Sequence, residues 1–443
     1  MSDEAHSLTY RRPSVLDGGR LGLETAGGTA LAGPAGNPRF FTGFLTDAAP
    51  AAGGLQAVAR VARSRYPELT GRPAFRDPVV TCNGDRLRFE SFSRCCGVYA
   101  RLDVLSGGLD GEVHDRGTTN VDINEPLRRM LARVGGRDPL HLSVGPDDLT
   151  ATTLDGSVVE KKVPLPQRWL RGFAEIQVIT AGFEPRAELS AVEAARLLRT
   201  LPSRSSGALW AVPAGRSLRL TSSPAPGAVC VASPDRLESL VPLLRFARAL
   251  RVYGPPVRAG SQPVASAWEL DLPGMRLVLA LSPGLNRGFS GEGAVLDALA
   301  SDDTETDAEL IGALLAFEPR VEVDLLAERS GLPQPRVRDA LTQLGTAGRV
   351  GYDLAEAAYF HRELPYDATA GEAMNPRLRN ARALVEAGAV HIDGDTATVT
   401  VGDRAHRVRA DGCTCRWWTE FGGTRGKCKH ALAVDVARNG ARG

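Results

Sequence analysis

The stretch that decides how the C-terminal part of the chain folds is residues 413–430, CTCRWWTEFGGTRGKCKH. Cys413 and Cys415 are two residues apart, so on an extended segment both thiolates point to the same side and can face one ion. After twelve intervening residues, Cys428 and His430 supply a second pair. Three thiolates and one imidazole make a closed tetrahedral shell for Zn²⁺, which is typical of structural zinc. We therefore predict one structural zinc ion bound by these four residues.

The flanking residues predict a small ββα domain around this site. Residues 389–393 and 396–401 flank a Gly-Asp turn and are typical of a hairpin. Residues 404–410 continue as a further strand into Cys413, and residues 431–437 predict a closing helix. We place the boundaries of this domain at residues 372–443.

The spacing Cys-x-Cys, a loop and Cys-x-His resembles the SWIM zinc finger, a ββα metal-binding module, over residues 378–443. The resemblance implies a bound zinc ion and a role in binding DNA or proteins. The combination of a long α+β region with a C-terminal SWIM finger resembles that of bacterial proteins encoded beside MoxR-type AAA ATPases and von Willebrand factor A proteins. This similarity implies an adaptor role in an ATP-driven complex.

Cationic and aromatic side chains surround the predicted ligands. A zinc ion with three thiolates and an imidazole carries a net charge of about −1, which favours nearby cations. The sequence offers four cations: Arg416, Arg425, Lys427 and Lys429. Interleaved with them are three aromatic residues: Trp417, Trp418 and Phe421. Together they can form a surface that contacts phosphates and stacks on bases. Alternatively, the aromatic residues shield the metal and pack on Val408 or Leu432.

Residues 291–366 predict three helices and a hairpin. The helices are expected at residues 307–317, 324–330 and 334–344, and a β-strand is expected to begin near Gly348. This order resembles a winged helix-turn-helix module. The third helix and the wing would place these polar side chains toward solvent: Gln334, Arg336, Arg338, Asp339, Thr342, Gln343 and Arg349.

Two roles remain open for this module. Arg336, Arg338 and Arg349 are the predicted contacts to nucleic acid, because arginines in these places reach phosphates. Winged helices also serve as docking modules, and Asp339 is unfavourable beside a phosphate backbone.

Residues 39–290 predict a β-rich α+β region preceded by a flexible leader at residues 1–38, rich in Gly, Ala and Pro. Helices are expected at residues 55–66, 125–134 and 234–250. Strands are expected in runs that include 87–92, 140–144, 158–165 and 173–180. A strand, helix, strand and hairpin occur in this order twice, which loosely resembles the halves of a sliding-clamp fold. The alternative is an unrelated α+β domain.

Composition limits the possible functions. The 443 residues correspond to about three domains. With 53 basic and 52 acidic side chains, nucleic-acid binding requires a local basic patch. No phosphate-binding glycine loop, nucleophile elbow or His-Glu-x-x-His pair occurs, so we predict a protein that is not an enzyme. No signal peptide or 18-residue apolar run occurs, which predicts a cytoplasmic protein with no membrane contact.

The sequence thus predicts an α+β multidomain zinc protein with a β-rich N-terminal region, a winged-helix-like module and a C-terminal SWIM finger. The expected function is nucleic-acid binding, with DNA as the expected ligand. The alternative is a protein-interaction adaptor in a complex with a MoxR-type AAA ATPase and a von Willebrand factor A protein.

Overall fold

The computed structural model describes residues 15–17, 20–22, 29–30, 33–34, 39–64, 78–202, 207–284, 288–289, 292–296, 303–315, 318–364, 376–422 and 425–440. It is a mixed α/β fold with several antiparallel sheets, as predicted. Most of the predicted leader lies outside the described residues, and its flexibility stays a prediction. None of the helices in the described ranges has the length and apolar character needed to cross a bilayer. The leader contributes two short antiparallel pairs, β1 (Val15–Asp17) with β2 (Arg20–Gly22) and β3 (Thr29–Ala30) with β4 (Gly33–Pro34).

The largest sheet has eight strands drawn from two halves of the N-terminal region. The halves meet where strand β8, at Val98–Val104, pairs with strand β20, at Met275–Leu281, in a register that places Leu102 opposite Leu277. In spatial order the strands are β10 (Gly117–Asn120), β6 (Val79–Cys82), β7 (Leu87–Phe92), β8 (Val98–Val104), β20 (Met275–Leu281), β19 (Ser266–Leu272), β18 (Ala249–Gly254) and β14 (Glu184–Ser190).

Two smaller antiparallel sheets complete the region. The five-stranded sheet runs β13 (Gly156–Lys161), β12 (Asp148–Thr153), β11 (His141–Val144), β5 (Phe41–Leu45) and β9 (Leu109–Val113). The three-stranded sheet runs β16 (Ser217–Thr221), β15 (Leu209–Ala214) and β17 (Val229–Val231).

The strand order repeats between the two halves. In the first half the neighbours are β10-β6-β7 and β13-β12-β11-β5, and in the second they are β17-β15-β16 and β20-β19-β18-β14. Each half ends in a meander of three strands, β11-β12-β13 in the first half and β18-β19-β20 in the second. The first strand of each meander pairs with the first strand of its half, so β11 pairs with β5 and β18 pairs with β14. The duplication predicted from element order extends to strand pairing.

Helices cover one face of the sheets and bury the largest core. Leu55 and Val58 of the first helix are buried against β7 and β8. The predicted helix over 234–250 is wrong in its second half, because Pro242 cannot donate a helical hydrogen bond and residues 249–254 join the sheet as β18. The elements of this layer are α1 (Ala48–Arg63), α2 (Glu125–Arg133), α4 (Ala191–Thr200) and a 3₁₀ helix, Pro234–Leu243.

The other face of the eight-stranded sheet is covered by α3 (Gln167–Ala181), where the predicted strand over 173–180 is wrong. Its run of β-branched residues suggested a strand. However, the buried side chains Trp169, Phe173 and Ile176 recur at helical spacing. The ring of Phe173 packs edge-on against Phe92 of β7, with ring centroids 5.0 Å apart.

Two glycines allow β5 and β9 to approach closely. Gly43 and Gly111 are direct partners, and a Cβ at Gly43 would lie 2.4 Å from the Cα of Gly111. We predict that Gly43→Ala lowers the free energy of unfolding by about 1–3 kcal/mol, because backbone must shift to relieve the overlap. Thermal denaturation measures the loss. Gly136→Ala is the control, since a Cβ there meets nothing within 4 Å, and equal stability of the two variants would refute the close approach.

The next segment has the predicted three helices and hairpin. Its elements are α5 (Asp303–Leu314), α6 (Val323–Ser330), α7 (Gln334–Thr346), β21 (Val350–Asp353) and β22 (Ala358–His361). Ile311, Val337 and Leu341 are buried in a core of its own. The element order agrees with the prediction, and its identity as a winged helix stays a prediction.

The hairpin β21–β22 packs against the eight-stranded sheet through a buried ionic network. Asp353 accepts hydrogen bonds from Arg88 at 2.9 Å and Arg276 at 3.0 Å, and pairs with Arg101 at 3.1 Å. Burial alone would raise the pKa of Asp353, but Arg101, Arg88 and Arg276 hold that pKa well below its ordinary value. The predicted wing is therefore an interdomain contact.

The C-terminal domain has the predicted hairpin, third strand and closing helix. Leu432 and Ala433 pack against Leu378 and Ala381 and against Ala174 of α3, which docks this domain on the rest of the chain. Its elements are α8 (Pro376–Glu386), β23 (Val390–Asp393), β24 (Thr396–Val401), β25 (Arg404–Arg409), β26 (Gly412–Cys413), α9 (Arg416–Phe421) and α10 (Lys429–Gly440).

Candidate metal centre and basic groove

The four predicted ligands come together at one point of the C-terminal domain. Cys413 ends β26, Cys415 directly precedes α9, Cys428 directly precedes α10, and His430 lies in the first turn of α10. All four are buried, and their ligand atoms lie within 4.8 Å of one another. The arrangement can hold one metal ion.

The geometry fits a tetrahedral site. The Sγ atom of Cys413 lies 3.7 Å from Nδ1 of His430. Metal–sulfur and metal–nitrogen bonds of about 2.3 and 2.0–2.1 Å at a tetrahedral angle place these two atoms about 3.6 Å apart. The Cys413 and His430 side chains thus stand at the spacing expected of two ligands of one metal ion.

The local backbone brings the second ligand pair back to the first. Gly426 has a positive φ of 68°, and a Cβ there would lie 2.3 Å from the carbonyl oxygen of Gly293. A glycine at position 426 therefore lets the chain turn tightly before Cys428 and lets its backbone pack directly against Gly293. The backbone N–H of Ala431 then donates to Sγ of Cys428 at 3.4 Å.

The thiols share protons unequally. A hydrogen bond from Cys413 lowers the pKa of Cys428 to about 4, and the same hydrogen bond raises the pKa of Cys413. A metal ion displaces the remaining thiol protons when it binds, because thiolates are the ligands.

His406 supports the site and was missed from the sequence. Its ring stacks on His430, with centroids 4.2 Å apart and planes inclined by 22°. Such contacts orient a ligating imidazole. Its place on β25 two residues before Val408, which is buried in the core, was the available signal.

The aromatic residues favour the packing alternative. Trp417 and Trp418 pack against the same small core that contains Val408. The Trp417 ring lies 4.5 Å from Phe421, and the guanidinium of Arg377 lies 4.6 Å from its centroid. These contacts fix Trp417 within the domain.

The four cations expected near the metal divide into two pairs. Arg425 lies 4.9 Å from the Phe421 ring, and Lys427 pairs with Asp435 at 3.0 Å, so both make contacts within the domain. The Arg416 side chain is 95% exposed and its Nε lies 3.9 Å from Oε2 of the exposed Glu420, and Lys429 is partly exposed. Arg416 and Lys429 both line a groove beside the metal centre.

This basic groove has a volume of about 460 Å³. Among the residues that the structure describes, four cations line it and no acidic residue does. Three of the metal ligands form part of its wall. The described residues that line it are Arg377, Asn380, Val401, Arg404, His406, Cys415, Arg416, Trp417, Cys428, Lys429 and His430.

Two of the three arginines that were predicted to contact nucleic acid on the winged-helix-like segment make contacts within the protein. Both Arg336 hydrogen bonds to the Asp307 carboxylate are 2.7 Å long, and Arg349 points toward the carbonyl oxygen of Gly312. Arg338 is exposed beside Gln334.

The expectation that Thr342 faces solvent is wrong. Its side chain is buried because the C-terminal half of α7 packs on α3, where Nε2 of Gln177 donates to the Thr342 carbonyl at 3.4 Å. Because of this contact, part of the face of α7 that was predicted to contact DNA is covered by α3.

Comparison with known proteins assigns no family. No family model matches the chain, and no curated protein matches it. Among solved structures, the proliferating cellular nuclear antigen of Entamoeba histolytica aligns with a TM-score of 0.37, and the PCNA2–PCNA3 complex of Sulfolobus tokodaii aligns with 0.39. Each alignment has 10% identity and covers 55% of this chain and 99% of the other. These values are too low to assign a fold family or a function.

Proposed function

We propose that this chain is a zinc protein with a SWIM-type finger, and that its C-terminal domain binds nucleic acid without catalysing a reaction. The observation that carries the proposal is the buried Cys₃His cluster beside a groove whose described lining holds four cations and no acidic side chain. The metal centre would order the domain, and the cations would contact phosphates.

The donor set supports zinc. Calcium and magnesium prefer oxygen ligands, whereas three thiolates with one imidazole in a tetrahedral arrangement are typical of structural zinc. The full set of protein ligands leaves no position for a reactive water, which supports a structural role.

The distribution of charge supports a polyanionic ligand. The whole chain carries a net charge of only +1, yet the groove gathers Arg377, Arg404, Arg416 and Lys429, and no carboxylate is among the described residues of its lining. Phosphate contacts supply much of the affinity for nucleic acid and make binding dependent on salt. We place the main contacts in the C-terminal domain, because Arg336 and Arg349 of the winged-helix-like segment are engaged within the protein.

We predict that Arg416→Ala combined with Lys429→Ala weakens nucleic-acid binding about tenfold. Two lost phosphate contacts would also reduce the slope of log K against log salt by about 1.4–1.8. Fluorescence anisotropy with labelled DNA across a salt series measures both effects.

Arg199→Ala is the control for this experiment, because Arg199 is an exposed arginine on α4 and is not among the described residues that line the groove. Its affinity should stay within twofold of the wild type. Absence of wild-type binding at low salt would contradict the proposal, as would an equal loss of affinity in the control.

A second candidate is an adaptor for a complex of a MoxR-type AAA ATPase with a von Willebrand factor A protein. Two leucines favour a protein-docking surface on the winged-helix-like segment: Leu310 of α5 is 43% exposed, and Leu325 of α6 is 49% exposed. Gel filtration with the purified partners tests this candidate. The wild type should form a complex that is lost on combining Leu310→Glu with Leu325→Glu, and no wild-type complex would exclude it.

A further inference from the structure

We infer that the basic groove is a site for single-stranded nucleic acid and excludes the duplex. The inference rests on the proposed function, because it specifies the kind of nucleic acid that the C-terminal domain binds. The site lies between α8, the end of β24, the start of β25 and the segment that carries Cys415 to Trp417.

The size of the groove supports a single strand. A volume of about 460 Å³ corresponds to a cube about 8 Å on a side, within the range of about 300–1,000 Å³ found for ligand pockets. The major groove of B-DNA alone is about 12 Å wide, so a whole duplex cannot enter. One or two unpaired nucleotides of a flexible strand can.

The cations stand at different places around the groove. Arg404 begins β25, Arg416 begins α9, and Lys429 begins α10. Arg377 is held in place, since its Nη1 donates to the carbonyl oxygens of Arg425 and Lys427. Positive charges spread along a groove follow the backbone of a single strand, which is how strands are bound without sequence preference.

A polar group in the lining suits an unpaired base. Asn380 is exposed on α8 and lines the groove. Its amide both donates and accepts hydrogen bonds, so it complements the Watson–Crick edge of a base. That edge is available only when the base is unpaired, which favours a single strand over a duplex.

The test fills the groove without changing its charge. Fluorescence anisotropy would use the full zinc-loaded chain, a labelled ten-residue oligothymidylate and a labelled ten-base-pair duplex. We expect the wild type to bind the single strand at least tenfold more tightly than the duplex. Asn380→Trp should weaken binding of the single strand at least tenfold and leave duplex binding within twofold.

Ala383→Trp is the matched control, because Ala383 is exposed on the same helix and is absent from the groove lining. It should bind the single strand within twofold of the wild type. A second pair of variants keeps the test valid if Asn380→Trp does not fold. Arg404→Gln, in the groove, should weaken binding of the single strand at least threefold, while Arg407→Gln, exposed on the same strand, should not.

The outcomes separate the two proposals. Wild-type protein that binds neither probe overturns the proposed function itself. Equal affinity for both probes overturns the groove inference and leaves the proposed function standing. Zinc-loaded, folded Asn380→Trp and Arg404→Gln proteins with wild-type affinity for the single strand also overturn the groove inference alone.

Discussion

Replacing Cys428 with serine should abolish stoichiometric zinc binding and unfold the C-terminal domain. Cys428 is buried, stands at the start of α10 and lies within 4.8 Å of the other three ligand atoms. Binding of structural zinc contributes about 10–16 kcal/mol of apparent free energy in zinc-finger peptides. A small domain that loses this contribution has little core to remain folded. Zinc content by mass spectrometry and limited proteolysis of residues 376–440 measure the two effects.

Cys95→Ser is the control for the zinc experiment. Cys95 is a half-buried free cysteine far from this cluster in sequence and outside the four ligands. It should retain one zinc ion per chain and an unchanged pattern of proteolysis. A Cys428→Ser protein with a full complement of zinc and a protected C-terminal domain would show that the four residues are not the metal site.

Replacing Asp353 with asparagine should cause the second large effect, a loss of about 3–5 kcal/mol in the stability of the contact between β21–β22 and the sheet. The Asp353 carboxylate is buried among Arg88, Arg101 and Arg276, and its removal leaves buried positive charge without full compensation. Hydrogen exchange at residues 350–361 should accelerate, and the temperature of unfolding should fall.

The pH dependence of this contact follows from the same contacts. The folded-state pKa of Asp353 lies below its unfolded value of about 3.9. Its stabilisation is therefore complete above that pH and is lost only as the pH falls through the folded-state pKa. We expect the contact to persist throughout the neutral range.

Glu322→Gln is the matched control for Asp353→Asn. Glu322 pairs with Arg320 at 3.0 Å, but both side chains are more than half exposed. An exposed pair of this kind contributes less than about 1 kcal/mol. Equal exchange rates at residues 350–361 in the two variants would refute the structural role of the buried network.

Local patterns in the sequence predicted the metal centre well. Cys413 and Cys415 are two residues apart and their thiols lie close together, although the strand ends at Cys413, and the structure places both beside Cys428 and His430. The strand over Thr396–Val401 was predicted with the bounds observed. These features depend on residues that are close in sequence.

Contacts between distant residues could not be predicted. Arg88 and Asp353 are 265 residues apart, and no spacing rule connects them. The hairpin was therefore expected to form an exposed wing, although its acidic residue pairs with arginines of the sheet. The predicted strand over 173–180 was wrong for another reason. Ile176, Val178 and Ile179 have high β-propensity, but tertiary packing favours the helix α3 there.

The division of the four predicted cations also depends on tertiary structure. From their positions in the sequence, Arg416, Arg425, Lys427 and Lys429 were equally expected to contact phosphates. Packing directs Arg425 onto the aromatic rings and Lys427 onto Asp435, while Arg416 and Lys429 line the groove. Arg377 and Arg404 complete the groove from positions outside the zinc-binding stretch.

The central claim is that Cys413, Cys415, Cys428 and His430 bind one structural zinc ion. X-ray absorption spectroscopy at the zinc edge of the purified full chain tests this claim most directly. We expect one zinc per chain with three sulfur ligands at about 2.3 Å and one nitrogen ligand at about 2.0 Å. A chain without stoichiometric zinc, or a shell containing oxygen ligands in place of the thiolates, would contradict it.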